Sequence, residues 1–269
     1  MLINGVKADA VSALDRGLLY GDGLFETLRV VEGEPCNWSR HIARLSKGCQ
    51  RLGLEMPESQ LLLSEVVTLC QDQKQAVAKI IVTRGVGGRG YMPASIAATS
   101  TRIIQCFPWP NFSAENSQQG VAVRICTLRL SEQPLLAGLK HLNRLENVLA
   151  RGEWQDPSIA EGLLRNGLGD FVEGTMSNLF VVDKGVMSTD PLKKCGVAGI
   201  MREIVIEQAE NLGIQCMQQT IDETRLKAAD ELFMCNSLIG IWPVREIVGL
   251  SEYCVGPITR QLQNAIKVN

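Results

Sequence analysis

The segment FPWPNFSAENSQQG, residues 107–120, constrains this chain more than any other. It is rich in Pro, Asn, Ser and Gln, and it breaks both helical and strand periodicity, so it reads as a linker. Patterned sequence lies on both sides of it. A domain typically takes ~100–150 residues, and the chain has 269, which leaves room for two cores. The expected organisation is a small N-terminal domain over 1–107, a linker over 108–120 and a larger domain over 121–269.

Before the linker, 24–31 alternates and is rich in strand formers, with a turn at Glu32, Gly33 and Glu34. Residues 39–52 place Ile42, Leu45, Cys49 and Leu52 on one helical face, and Gly53 stops that helix. A second helix is expected over 57–69, and strands over 77–83 and 102–107. After the linker, strands are expected over 121–130, 161–165, 179–182, 185–187 and 232–236. Helices are expected over 142–151, with Leu142, Leu145 and Leu149 inward, and over 200–212 and 257–268. Strands and helices mix without strict alternation, which predicts α+β domains rather than a doubly wound sheet.

Hydrophobic residues make up 45% and charged residues 21%, the balance of a globular protein. A net charge of −2 and the lack of any Lys/Arg run give nucleic acid no footprint. No stretch approaches the ~20 apolar residues that span a bilayer, so no membrane partner is expected. The start, MLINGVKADAVSALDRG, lacks the apolar core of a signal peptide, and a cytoplasmic location is expected. The nine cysteines are widely spaced without a C-x-x-C, and the only histidines are His41 and His141. That pattern argues against a metal site and a disulfide framework, and for buried thiols in a reducing compartment.

Gly85-Val86-Gly87-Gly88-Arg89-Gly90 matches G-x-G-x-x-G and follows an expected strand. What comes next, YMPASIAATS, contains a proline and no helical period, and no acid lies ~20 residues on. The dinucleotide reading therefore fails, and a flexible glycine loop presenting Arg89 is expected instead.

The second half carries the chemistry. GLKHLNRLENVLAR puts Lys140 before an amphipathic helix, and DFVEGTMSNLF puts Glu173 where a strand meets a turn. GVAGIMRE places Gly196 and Gly199 before a helix, and ELFMCNSLIGIWPV sets Asn236 and Ser237 after a strand. Each alone reads as ordinary structure. Together they are the parts a pyridoxal phosphate (PLP) enzyme needs. A lysine supplies an amine to the cofactor's aldehyde, and a carboxylate keeps the pyridine nitrogen protonated. Helix-start amides, a cation and a hydroxyl suit the phosphate.

These segments, with GDGLFETLRV, SRHIARL and TRGVGGRGY, resemble the class IV aminotransferases, the fold-type IV PLP enzymes. The resemblance covers nearly the whole chain. It implies a two-domain α+β fold like that of D-amino-acid aminotransferase, PLP in the interdomain cleft, and a homodimer acting on a small-molecule substrate. By the same resemblance Lys140 is the Schiff-base lysine and Glu173 the partner of the pyridine nitrogen. Arg44 is the phosphate arginine, Ile200 and Met201 supply helix-start amides to the phosphate, and Ser237 supplies a hydroxyl. Arg89 and Tyr91 match loop positions that grip a substrate carboxylate. TRGVGGRGY and AGLKHLNRLENVL are of the type of the family's lyase branch. They imply cleavage of 4-amino-4-deoxychorismate to 4-aminobenzoate and pyruvate. Phe25 stands where aminotransferases of the family often carry a tyrosine, which weighs against amino transfer. The competing expectations are a D-amino-acid or branched-chain aminotransferase and a non-catalytic binding domain.

Overall fold

The computed structural model describes residues 1–93 and 99–266, and the chain divides into two compact units. The first comprises Met1–Pro110 together with Leu139–Asn143. The second comprises Asn111–Gly138 and the described residues from Arg144 to Ile266.

The first unit is built from β1 (Leu2–Ile3), β2 (Val6–Lys7), α1 (Arg16–Tyr20), β3 (Gly23–Val31) and β4 (Glu34–Pro35). It continues with α2 (Trp38–Leu52), α3 (Ser59–Cys70), β5 (Gln75–Thr83) and β6 (Thr101–Pro108). Its antiparallel sheet has the order β2-β1-β6-β5-β3-β4. Period-two alternation decides which residues are buried: Leu24, Leu28, Val30, Ala76, Ala78, Ile80 and Val82 all lie in the core. Helix α2 packs against β3, where Gly48 lets it come close to Leu24; a β-carbon at Gly48 would stand 2.7 Å from Leu24 Cδ1. Helix α3 packs on β6 and β5.

The second unit holds α4 (Ala114–Gln119), β7 (Val121–Leu130), α5 (Leu145–Arg151), β8 (Ile159–Asn166), β9 (Phe171–Gly174) and β10 (Asn178–Asp183). Then follow β11 (Val186–Thr189), α6 (Ile200–Asn211), β12 (Cys216–Gln218), α7 (Glu223–Ala228) and β13 (Glu231–Asn236). Strands β14 (Gly240–Ile247) and β15 (Ser251–Glu252) and helix α8 (Pro257–Ala265) complete it. The strand order is β12-β11-β10-β13-β14-β7-β8-β9, and β9 also pairs with β10. The strands from β10 round to β9 thus close on themselves. Val123, Leu163, Phe171, Leu179, Met234 and Trp242 fill one core. Phe180 and Phe233, stacked 4.9 Å apart, join Met201, Val205 and Leu262 in a second core beneath α6 and α8. Burying each such side chain is worth about 1.5–3 kcal/mol.

Several expectations need correction. The segment 139–143 groups with the first unit, so Lys140 does not belong to the larger unit as expected. The reason is backbone pairing: Phe25 N–H donates to Lys140 C=O at 2.9 Å, and Leu142 N–H donates to Gly23 C=O at 3.0 Å. The expected linker contains α4, which Ser113 caps by accepting from Glu115 N–H, and which packs on β14. The helix expected from 142 begins at Leu145, and its leucines do not point inward. Leu145, Val148 and Leu149 are 69%, 63% and 58% exposed, while Ala150 is the buried residue. Strand β14 escaped the sequence reading because Pro243 interrupts it; the register shift between Val244 and Glu246 lies just beyond.

Candidate active site

The lysine segment forms a short added edge on β3. An isolated bridge joins Leu24 to His141, so Lys140 lies opposite Phe25 on the same side of the sheet. Its Nζ sits 4.3 Å from the centroid of the Phe25 ring, and the half-buried ammonium gains from the ring's negative face. Gly23 is required here, because a β-carbon would come within 2.5 Å of Val82 C=O and 2.8 Å of Leu142 Cδ1.

The next residue of β3, Glu26, points to the helical side and is fully buried. Arg44 donates to it through Nε at 2.8 Å and Nη2 at 2.5 Å, and His41 Nδ1 lies 2.7 Å away. Burial acts to raise the Glu26 carboxyl, but the Arg44 charge and the bonds from Arg44 and His41 hold it below the usual carboxylate range. The structure therefore brings Lys140 to Phe25 and Arg44 to Glu26, at successive positions of β3.

The glycine loop is anchored rather than loose. Arg16, itself buried, donates to Gly90 C=O at 2.9 Å and Tyr91 C=O at 3.1 Å. Its Nε and that of Arg84 both reach Asp22 Oδ2, at 2.9 and 2.7 Å. Desolvation opposes ionisation of Asp22, and the two arginines outweigh it and lower its pKa. Tyr20 accepts from Gly90 N–H at 3.2 Å and meets the Tyr91 ring edge-on at 5.5 Å. Arg89 and Tyr91 are exposed on this anchored loop. Through Pro93 it forms no helix, in keeping with the rejected dinucleotide reading; the rest of the YMPASIAATS segment falls partly outside the described residues.

In the second unit, Glu173 is only 4% exposed and lies next to the end of β9, where its pairing with Asn178 closes the ring of strands. Its Oε2 accepts from Val197 N–H at 2.9 Å and from Asn178 Nδ2 at 3.3 Å. Asn178 Nδ2 also donates to Val197 C=O at 2.9 Å, which ties the carboxylate to the chain leading into α6. That chain needs its glycines. Gly196 adopts φ +83° beside Glu173, and a β-carbon at Gly199 would stand 2.1 Å from Asn178 Oδ1. Ile200 and Met201, both buried, open α6, and no side chain caps its amides. Ser237 follows β13 in the turn that Asn236 organises by accepting from Leu238 and Ile239 N–H. The structure thus joins Glu173 to the start of α6, and it places Ser237 in the neighbouring hairpin of β13 and β14.

Sequence reasoning missed several supporting residues. Buried Glu161 on β8 holds the turn after Glu173 together, accepting from Thr175 Oγ1 at 2.5 Å, Ser177 Oγ at 2.6 Å and Met176 N–H at 3.2 Å. Arg144 is buried enough for desolvation to lower its pKa, with Glu173 and Glu146 acting the other way. Asn178 and Asp22 lie inside motifs already singled out, EGTMSNLF and GDGLFETLRV, and were readable as candidates. Nothing local marks Glu161, whose partners come from the far side of a turn.

The sequence profile of the amino-transferase class IV family matches residues 23–247. An aminodeoxychorismate lyase of Vibrio harveyi is 35% identical over 97% of this chain and 97% of its own. A D-alanine aminotransferase of Bacillus licheniformis is 30% identical over 96% of this chain and 91% of its own. The crystal structure of 4-amino-4-deoxychorismate lyase from Pseudomonas aeruginosa superposes with a TM-score of 0.94 at 46% identity, covering 98% of this chain and 97% of that one. With the profile spanning most of the sequence, the chain belongs to the amino-transferase class IV family, with its fold-type IV architecture.

Proposed function

We propose that this chain is a PLP-dependent lyase that cleaves 4-amino-4-deoxychorismate into 4-aminobenzoate and pyruvate. The observation that carries the cofactor is Glu173, a buried carboxylate fixed by a backbone amide and Asn178. Hydrogen bonds of this kind suit a carboxylate set against a cationic partner, and a protonated pyridine nitrogen is one. The uncapped start of α6 suits a phosphate. The residues present therefore fit the cofactor. Lys140 would hold it covalently, Glu173 would face its ring nitrogen, and Arg44, Ile200, Met201 and Ser237 would bind its phosphate. When bound, PLP supplies an electron sink at the carbon bearing the substrate amine.

The remaining work falls to the chain. Lys140 Nζ takes the proton from the amine-bearing carbon as general base. The bond between the substrate ring and the ether oxygen then breaks, the ring becomes aromatic, and the enolate of pyruvate leaves and takes up a proton. Aromatisation makes the step hard to reverse. The substrate carries two carboxylates, and Arg89, held out by the anchored loop beside Tyr91, is proposed to pair with one of them.

The lyase is favoured over the aminotransferase by the 46% identity to the P. aeruginosa lyase, against 30% to the D-alanine aminotransferase, and by Phe25 under Lys140. We place the protein in the cytoplasm as a homodimer. The widely spaced cysteines suit a reducing compartment, and the exposed row Leu145, Val148 and Leu149 suits contact with a second copy. Among the described residues, no helix is long and apolar enough to cross a membrane. The test is product analysis with purified, PLP-loaded protein. Pyruvate and 4-aminobenzoate should appear in equal amounts from aminodeoxychorismate. Faster turnover of D-alanine or a branched-chain amino acid with 2-oxoglutarate would reject the lyase reading.

A further inference from the structure

Cys70 ends α3 and Cys106 lies on β6, and their Sγ atoms stand 2.9 Å apart. Both are free thiols. Register explains the meeting. Arg102, Ile104 and Cys106 alternate onto the helix-facing side of β6, paired across β5 with Val82, Ile80 and Ala78. Arg102 meets α3 first, donating to Glu65 from Nε at 3.0 and 3.1 Å and from Nη2 at 2.8 Å. Cys106 meets α3 again at its last residue. Neither cysteine belongs to the lysine, carboxylate or loop assemblies above.

A shared metal ion does not fit this spacing. Two thiolates on a tetrahedral ion with bonds of ~2.3 Å lie roughly 3.7 Å apart, wider than the 2.9 Å seen here. Among the described residues no His, Cys, Asp or Glu group completes a metal site. A disulfide fits better, since its sulfurs lie ~2.04 Å apart and need close by only about 0.9 Å.

We propose that Cys70 and Cys106 form a reversible oxidation site, which closes to an intramolecular disulfide by exchange with a small-molecule disulfide such as oxidised glutathione. Cys106 is half-buried and Cys70 fully buried, which sets the order of events. The Cys106 thiolate attacks the external disulfide, forming a mixed disulfide and releasing one small thiolate. The Cys70 thiolate then attacks Cys106 Sγ, forming the internal bond and expelling the second small thiol. The protein loses two protons and two electrons, and the external disulfide takes up both as two thiols. Burial pushes the Cys70 thiol above its ordinary value. The closing step should therefore speed up about tenfold per pH unit through the neutral range. The ring runs from 70 to 106 and contains the loop that carries Arg89, so closure restricts the unfolded first unit.

The test exposes the full-length, PLP-loaded protein to oxidised glutathione, followed by acid quench, alkylation and peptide mapping. A Cys70–Cys106 linked peptide should form, reverse with dithiothreitol, and raise the unfolding temperature by roughly 5–10 °C. Cys70→Ser should instead accumulate glutathione on Cys106, Cys106→Ser should leave Cys70 unmodified in the folded protein, and Cys254→Ser should leave the link unchanged. A stable mixed disulfide at Cys106 in the unsubstituted protein, with Cys70 still alkylated, would overturn the proposal. So would modification of Cys70 in Cys106→Ser as fast as the link forms in the unsubstituted protein.

Discussion

The lysine segment of the first unit and the Glu173 turn of the second are built by different kinds of bond. Lys140 is placed by the backbone: its carbonyl and the amide of Leu142 pair with β3, and its side chain lies along the Phe25 ring. Glu173 is placed through its side chain, whose Oε2 takes a backbone amide and an asparagine amide, while Glu161 locks the turn that follows. A group that must form and break bonds can be positioned through its main chain, which the reaction leaves intact. A group that must hold one charge through the reaction gains from having its acceptor sites filled.

The largest effect is expected at the lysine. Lys140→Ala should lower kcat/KM for aminodeoxychorismate by about 10³-fold or more, since in the proposed reading Lys140 is both the covalent anchor and the general base. Folding should be unaffected, because the pairing with β3 uses main-chain atoms. Loss of the cooperative thermal transition in this variant would show that the side chain carries structure as well. Glu173→Gln should cost roughly 10²–10³-fold in kcat, because a neutral amide no longer favours a protonated ring nitrogen. The ultraviolet-visible spectrum of the bound cofactor should shift with it, and an unchanged spectrum and rate would remove Glu173 from its role.

The anchored loop sharpens the contrast. Arg89→Ala should raise KM for aminodeoxychorismate, lowering kcat/KM about 10- to 100-fold, and leave PLP content unchanged. A fall in PLP content instead would assign Arg89 to the cofactor. The smallest effect is on stability. The Glu26 carboxyl is held below its usual range, so its pairing with Arg44 and His41 stabilises the protein above the ordinary glutamate pKa and fades as pH falls through the depressed value. Glu26→Gln should therefore melt roughly 5–10 °C lower at pH 7, and the gap should narrow steadily on acidification below about pH 4. A constant gap between pH 7 and pH 3 would mean that the carboxylate's charge is not what stabilises.

Much of this was legible in the sequence where local pattern decides structure. The alternation of Leu24, Leu28 and Val30 and the helical stripe of Leu45 and Cys49 survive in β3 and α2. The parts that were not legible depend on distant partners. Lys140 reads as the lead-in to a helix, yet its backbone joins a strand more than a hundred residues earlier in the chain. Leu145 and Leu149 carry an inward-facing period, but Glu146, which accepts from Ser131 N–H, and Ala150 turn the other face of α5 to the unit. Arg16 sits in an unremarkable stretch, and only the folded loop reveals its hold on Gly90 and Tyr91. The family was readable from these segments, whereas the residues that hold the segments in place were mostly not.

In the proposed reading a single lysine, held against β3 by backbone pairing, carries the cofactor. Borohydride reduction of the PLP-loaded protein followed by peptide mapping tests it most directly. One pyridoxyl adduct is expected, on the peptide containing Lys140. An adduct on Lys79, whose Nζ also approaches the Phe25 ring at 5.3 Å, or on Lys184, would contradict it.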